Sequence, residues 1–204
     1  MISIVDYGLG NLQAFLNVYK RLNIEARRVT TAAELGDATK VILPGVGAFD
    51  HAMERLDASG MRHVLDDLVL RARVPVLGVC VGMQILAQGS DEGALPGLGW
   101  ITGRVRRLAS LAPEAVLQLP HMGWNDIQPA RGSSLFAQLE SDARFYFLHS
   151  YYFECARPDD VAATTSYGRD FSCAVHTENI YGVQFHPEKS HHFGTRLLQN
   201  FAEL

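Results

Sequence analysis

Three residues of this chain have the types and spacing for covalent chemistry: Cys80, His186 and Glu188. Cys80 lies in Val74-Pro-Val-Leu-Gly-Val-Cys-Val-Gly-Met-Gln84. The β-branched run Val74–Val79 predicts a strand buried on both faces. From Val81 onward, Met83, Ile85, Leu86 and Ala87 recur at helical spacing. A cysteine at such a strand-to-helix turn, with Gly78 and Gly82 two residues to either side, has the pattern of a nucleophile elbow. The free N–H groups and dipole at a helix start suit a reactive sulfur. The plainer alternative is a buried core cysteine, the commonest fate of a lone Cys. In Ile180-Tyr-Gly-Val-Gln-Phe-His-Pro-Glu-Lys-Ser190, Tyr181–Phe185 predicts a strand that His186-Pro187 ends, since proline cannot continue a ladder. His186 and Glu188 then stand two residues apart on a rigid turn. A carboxylate so placed takes the Nδ1 proton and leaves Nε2 facing a nucleophile. The bland reading is a surface His and Glu in a loop.

Thiol chemistry on a carbonyl also needs oxyanion donors. Lys40–Leu43 predicts a third strand that runs into Pro44-Gly-Val-Gly-Ala-Phe49, and a strand ending in two glycines can offer a backbone N–H to an oxyanion. Taken alone, a tight βα turn is the simpler reading.

The elements that must position these groups follow from hydrophobic period. Ile2–Asp6 and Ile24–Val29 predict strands. Between them, Asn11 caps a helix with Leu12, Phe15, Leu16, Tyr19 and Leu22 on one face. Thr30 or Thr31 caps a short helix through Leu35. Gly8 and Gly10 start a dinucleotide pattern, but Gln13 stands where its third glycine belongs, so no nucleotide site is expected there. Helices are predicted over Phe49–Leu56 and Met61–Arg73. This βαβα alternation predicts an α/β fold with a doubly wound, mostly parallel sheet. Pro44–Gly47 and Cys80 then fall at the carboxyl ends of strands, where such sheets hold their reactive groups. After Gly89, strand-like segments dominate: Gly99–Leu108, Val116–Gln118, Trp124–Gln128 and Arg144–Phe153. They suggest an antiparallel continuation within a single domain over residues 1–204. Pro120-His-Met-Gly-Trp-Asn125 reads as an unusual loop, and His149, in an aromatic strand, as a hydrogen-bonded structural histidine. Gly194–Phe201 closes the chain as an amphipathic helix.

Bulk properties exclude several classes. A chain 48% hydrophobic and 20% charged is that of a soluble globular protein. A net charge of −4 carries no nucleic-acid footprint, and Arg104, Arg106 and Arg107 read as one solvated face. No apolar run approaches the roughly 18–20 residues of a membrane span, and the start lacks the regions of a signal peptide. Cys80, Cys155 and Cys173 are an odd number without metal spacing, so reduced thiols and a cytoplasmic location are expected. Cys155 and Cys173 read as small core residues.

With Gly78-Val-Cys-Val-Gly-Met-Gln84 and Gln184-Phe-His-Pro-Glu188 in hand, the chain resembles the class I, triad-type glutamine amidotransferases over essentially its whole length. Asp6-Tyr-Gly-Leu-Gly-Asn-Leu12, Pro120-His-Met-Gly-Trp-Asn125 and His149-Ser-Tyr-Tyr152 resemble, within that family, the glutaminase subunits of imidazole glycerol phosphate synthase. Val81 stands where the family more often has a larger aliphatic residue, and Met83 where several sister enzymes carry His. The resemblance implies glutamine hydrolysis with Cys80 as nucleophile, His186 as acid and base, and Glu188 as orienting carboxylate. It implies an oxyanion hole from the Val81 N–H and the Val46-Gly47 turn, substrate contacts from Gly47 and Gln84, and no metal or organic cofactor. It also implies a heterodimer, in which ammonia passes through a tunnel to a separate (β/α)8-barrel cyclase subunit. There imidazole glycerol phosphate and aminoimidazole carboxamide ribotide are made. His121, Met122, Trp124, Asn125 and Lys189 are the expected interface positions, as exposed-looking loop residues close to the motifs. The two glycines of Pro44–Gly47 would let that turn hold its N–H away until the partner binds, leaving the isolated chain nearly inactive.

Three rival readings remain: a subunit of the same class feeding another synthase, a stand-alone cysteine hydrolase of γ-glutamyl or peptide bonds, and a non-catalytic binding module. The loop at Pro120–Asn125 speaks against the first, and the joint presence of Cys80, His186 and Glu188 against the last.

Overall fold

A computed structural model describes every residue except Ala112, Ala115 and Val116. In chain order the first half runs β1 (Ile2–Val5), α1 (Leu12–Arg21), β2 (Ala26–Val29), α2 (Ala32–Leu35), β3 (Val41–Gly45), α3 (Phe49–Ala58), α4 (Arg62–Asp66), β4 (Val76–Cys80) and α5 (Val81–Gln84). The second half is strand-rich: β5 (Gly103–Arg107), β6 (His121–Asp126), β7 (Gln128–Pro129), β8 (Arg144–His149), β9 (Tyr151–Cys155), β10 (Val161–Tyr167), β11 (Arg169–Thr177) and β12 (Ile180–Val183). Helix α6 (His191–Glu203) follows. Eight strands form one sheet in the order β2-β1-β3-β4-β12-β11-β10-β7. The five from β2 to β12 are parallel, and β11, β10 and β7 continue it antiparallel. This is the predicted mostly parallel α/β sheet with its antiparallel extension.

The chain order explains the double winding. From β1 the chain steps one way to β2, then back across to β3 and β4, so right-handed crossovers put α1 and α3 on opposite faces. Asn11 caps α1 by accepting from the Ala14 N–H, and Thr31 caps α2 by accepting from the Glu34 N–H. Helix α1 buries Phe15, Val18 and Tyr19, and the Tyr19 hydroxyl donates to the Leu198 carbonyl at 3.2 Å, tying α1 to α6. All five residues of β4 are buried, as a strand covered on both faces requires.

Two pairings build the active end. Strand β4 lies beside β3 with Gly45 opposite Cys80, and on its other side beside β12 with Val183 opposite Val79. The carboxyl ends of these three parallel strands therefore meet at one edge, and the chain leaving β12 carries residues 184–188 past Cys80.

Several predicted elements differ. The helix expected through Ala87 stops after Gln84 because residues 97–101 fold back against it. The Leu86 and Ala87 N–H groups donate only three residues back, to Met83 and Gln84, and Leu98, Ile101 and Gly99 take the freed carbonyls of Ile85, Leu86 and Ala87. The strand expected from Gly99 accordingly starts only at Gly103. The helix expected over Met61–Arg73 is α4 followed by a π-helical turn, Asp67–Arg71. In the predicted strand Val116–Gln118, Val116 lies outside the described residues and Leu117–Gln118 belong to no strand. Residues 121–125, read as loop, are strand β6, paired antiparallel with β8 from His121 opposite His149 to Asp126 opposite Arg144.

Candidate active site

Cys80 ends β4 with φ 57° and ψ −114°, a conformation side-chain-bearing residues rarely adopt and the mark of a sharp elbow. The flanking glycines make the turn sterically possible. A Cβ on Gly82 would stand 1.9 Å from the Leu43 carbonyl oxygen, and one on Gly78 would stand 2.5 Å from the Gly82 oxygen. The elbow thus folds tightly against β3 and over itself, pushing the thiol out. Val81 opens α5, so its N–H is one of those the helix leaves unpaired.

His186 is buried, and its Nδ1 lies 2.9 Å from Glu188 Oε1, with both side chains nearly sealed from solvent. Burial alone would depress the imidazole. The Cys80 sulfur and the Glu188 carboxylate outweigh it and push the pKa up to about 10. The backbone fixes the base as well: the His186 N–H donates to the Tyr146 carbonyl at 2.9 Å, and Ser190 Oγ donates to the His186 carbonyl at 2.6 Å. The other two thiols differ. Burial pushes Cys155 up to about 12 and drives Cys173 higher still, so both stay protonated; Cys173 is a core residue as expected, whereas half-buried Cys155 packs at the core's edge.

A cavity of about 310 Å³ opens over the elbow, lined among others by Val46, Gly47, Cys80, Val81, Gln84, His186 and Lys189. The structure therefore brings together the expected triad, the expected oxyanion turn and Gln84. Gly47 holds φ +90°, which suits glycine alone. The turn is anchored at both ends. The buried Tyr7 hydroxyl donates to the Pro44 carbonyl at 2.6 Å, and Glu92 Oε2 accepts the Phe49 N–H at 2.9 Å, capping α3 where Ala48 cannot. Burial, then the charge of Cys80, raises the Tyr7 phenol well above its ordinary range.

Glu92 and Tyr151 also line the cavity; Glu92 was not singled out from sequence, and Tyr151 only as part of the His149–Tyr152 motif, without a role. Glu92 lies in a Ser-Asp-Glu-Gly turn that carries no catalytic pattern, and only the fold brings it to the α3 terminus. His149 is structural as expected, yet it borders the cavity. Its Nδ1 lies 2.8 Å from the Tyr151 carbonyl, which only an N–H can satisfy, so Nε2 must accept. His121 Nδ1, 3.0 Å from that Nε2, is then the donor, and His121 Nε2 faces the Asn125 amide at 3.3 Å. The chain of donors fixes both rings neutral. Burial depresses His121 to about 4. Burial, with the neighbouring His121 and His186 charges, depresses His149 to about 3.

This corrects the surface expected at residues 121–125. In strand β6 alternate side chains face opposite ways. His121 points inward, 3% exposed, stacked between Phe147 and Tyr167, and half-buried Asn125 donates to the Ser166 carbonyl. Met122 and Trp124 point outward, 64% and 43% exposed, with Trp124 stacked on His191 at 5.2 Å. Exposed Leu148 pairs with Met122 across the ladder, and exposed Lys189 stands at the cavity rim, 5.9 Å over the Tyr146 ring. No helix among the described residues is long and apolar enough to cross a membrane.

An elbow thiol beside a His–Glu pair, at the carboxyl edge of a mostly parallel sheet, has the parts of a cysteine-dependent acyl-transfer site. The model of the class-I glutamine amidotransferase family matches residues 3–204, and the chain belongs to that family. The chain is 62% identical over 204 residues to the protein "Imidazole glycerol phosphate synthase subunit HisH" of Bdellovibrio bacteriovorus, covering all of both chains. It is 54% identical, again over the full length of both, to the protein of the same name from Leptospira interrogans. Among solved structures it resembles a glutamine amidotransferase (TM-score 0.74, 20% identity, 99% of this chain and 97% of that one). It also resembles PurLQS from Thermotoga maritima (TM-score 0.70, 17% identity, 99% and 97%). At those identities the structures establish the shared fold.

Proposed function

We propose that this chain is the glutamine amidotransferase subunit of an imidazole glycerol phosphate synthase, acting in histidine biosynthesis as one glutaminase domain over residues 1–204. Full-length identity to the HisH subunits supports that assignment. The Cys80 elbow facing the His186–Glu188 pair is the observation that carries the chemistry.

Cys80 attacks the side-chain carbonyl of L-glutamine, and the tetrahedral oxyanion rests on the Val81 N–H and an N–H of the Val46-Gly47 turn. His186 gives its proton to the departing nitrogen, so the C–N bond breaks and ammonia leaves a thioester. His186 then takes a proton from water, which adds to the thioester and releases glutamate. Glu188 holds the Nδ1 proton throughout and stabilises the imidazolium. Gly47 and Gln84 bound the site for the substrate carboxamide. Glu92, a carboxylate in the cavity wall, complements the substrate ammonium.

The ammonia goes to a separate cyclase subunit of the (β/α)8-barrel type, in a heterodimer. Met122, Trp124 and Lys189, exposed beside the cavity mouth, form the docking face, and Leu148 extends it. No metal or organic cofactor enters this scheme. The rival stand-alone hydrolase would turn over without a partner. The test is ammonia release from glutamine with and without the cyclase and its nucleotide ligand, using Cys80→Ala as control. Strong stimulation that the substitution abolishes supports the reading. Full turnover by the isolated chain would refute the partner-dependent oxyanion turn, and no turnover in either case would refute the synthase assignment.

A further inference from the structure

Besides His186, a second buried polar side chain reaches the nucleophile. Gln184 leaves the end of β12 fully buried, and its Nε2 points a donor at Cys80 Sγ, 3.8 Å away. Its main chain is fixed, since its N–H donates to the Cys173 carbonyl of β11 at 2.8 Å.

The orientation of its amide follows from the neighbours. The Tyr151 carbonyl can only accept, so the Gln84 atom 3.4 Å from it is the nitrogen. That same Gln84 nitrogen lies 3.0 Å from the Gln184 amide, which must therefore present its oxygen there. Only the Gln184 nitrogen is left to face the sulfur. The Tyr151 carbonyl that starts this sequence is itself held by the His149 N–H at 2.8 Å.

We propose that Gln184 is a positioning residue for the nucleophile: its amide N–H holds Cys80 Sγ in the rotamer that serves His186 and the cavity, and supports the sulfur while it carries charge. The proposal rests on Cys80 being the nucleophile of the glutaminase reaction. A thiol on a strained elbow has staggered alternatives, and a donor at one of them selects it. A neutral amide does this without neutralising the sulfur, as a lysine would. Gln184 itself is fully buried, on the side of the sulfur away from solvent access, so removing its donor leaves that side of the sulfur without a partner.

The test compares Gln184→Met, of equal length without a donor, with Gln184→Asn, which keeps the amide but draws it back from the sulfur. Both are assayed in complex with the cyclase for kcat and KM on glutamine. Each is also assayed for the rate of Cys80 alkylation by iodoacetamide and for melting temperature. Loss of a hydrogen bond to a charged sulfur predicts about a tenfold fall in kcat and in alkylation rate for both variants, with KM within about threefold. If Gln184 only fills the core, alkylation follows stability, and the cavity-forming Asn variant suffers while the Met variant does not. A folded variant of either kind that alkylates within twofold of wild type overturns the proposal, as does a loss confined to KM. Should wild type release no ammonia from glutamine, the glutaminase reading fails, while the alkylation rates still decide whether Gln184 acts on the sulfur.

Discussion

Glu188→Gln removes one charge at nearly constant volume, and the site cannot absorb the change. In the wild type, Oε1 accepts the His186 Nδ1 proton at 2.9 Å, while the buried Oε2 has no partner among the described residues. With the amide oxygen toward His186, the NH2 goes where Oε2 now stands alone. With the NH2 toward His186, Nδ1 must accept, and the ring proton moves to Nε2, the atom that has to serve the thiol. Either way a sealed hydrogen bond to an ionised group is lost, worth about 2–3 kcal/mol. That is on the order of 30- to 150-fold in rate. Steady-state ammonia release by the complex should therefore show kcat down on the order of 100-fold. KM for glutamine should stay within about threefold, because Glu188 is not part of the cavity wall. A kcat loss below about fivefold, or one expressed only in KM, would refute the assignment of Glu188 as the orienting carboxylate.

Gly82→Ala places a methyl 1.9 Å from the Leu43 oxygen, with backbone on both sides, and should destabilise the chain by about 3 kcal/mol or more in urea unfolding. Gly47→Ala meets no atom of the described residues within 4 Å and bears only the positive φ, so it should cost about 1–2 kcal/mol. Equal midpoints for the two would contradict the packing argument. His121 and His149 stay neutral in the fold down to about 4 and about 3, while the unfolded chain protonates them near 6.5. Their stabilisation is thus complete above about pH 6.5 and is lost as pH falls. The slope approaches roughly 1.4 kcal/mol per pH unit for each ring. His186, held up to about 10, works the other way: it stays protonated in the fold while the unfolded ring loses its proton above about pH 6.5, so it offsets the two rings near pH 7 and adds little slope below about pH 6. Urea titrations from pH 6 to 5 that give a flat stability would show that the two rings are not buried neutral.

What the sequence displayed was local. The elbow was legible because Gly78 and Gly82 bracket Cys80, and the base pair because Pro187 separates His186 from Glu188 at a fixed distance. The caps at Asn11 and Thr31 were legible for the same reason. What depended on distant partners was not. The apolar period through Ala87 looked helical, yet residues 97–101 claimed its carbonyls. His-Met-Gly-Trp-Asn is a strand whose outward side is apolar, so its exposed Met122 and Trp124 disguised the burial of His121. Gln184 stood in plain view within its motif, but its role depends on Gln84, 100 residues away.

The insertion of β12 between β4 and β11 also sets when the site can exist during synthesis. Until Ile180–Val183 leaves the ribosome, β4 ends in the nucleophile beside a bare sheet edge, with unsatisfied backbone groups open to any passing strand. The growing polypeptide therefore carries its thiol but no base. Hydrolysis of glutamine starts only when β12 slots into the middle of the sheet, a late long-range closure that also buries the edge most prone to mispairing.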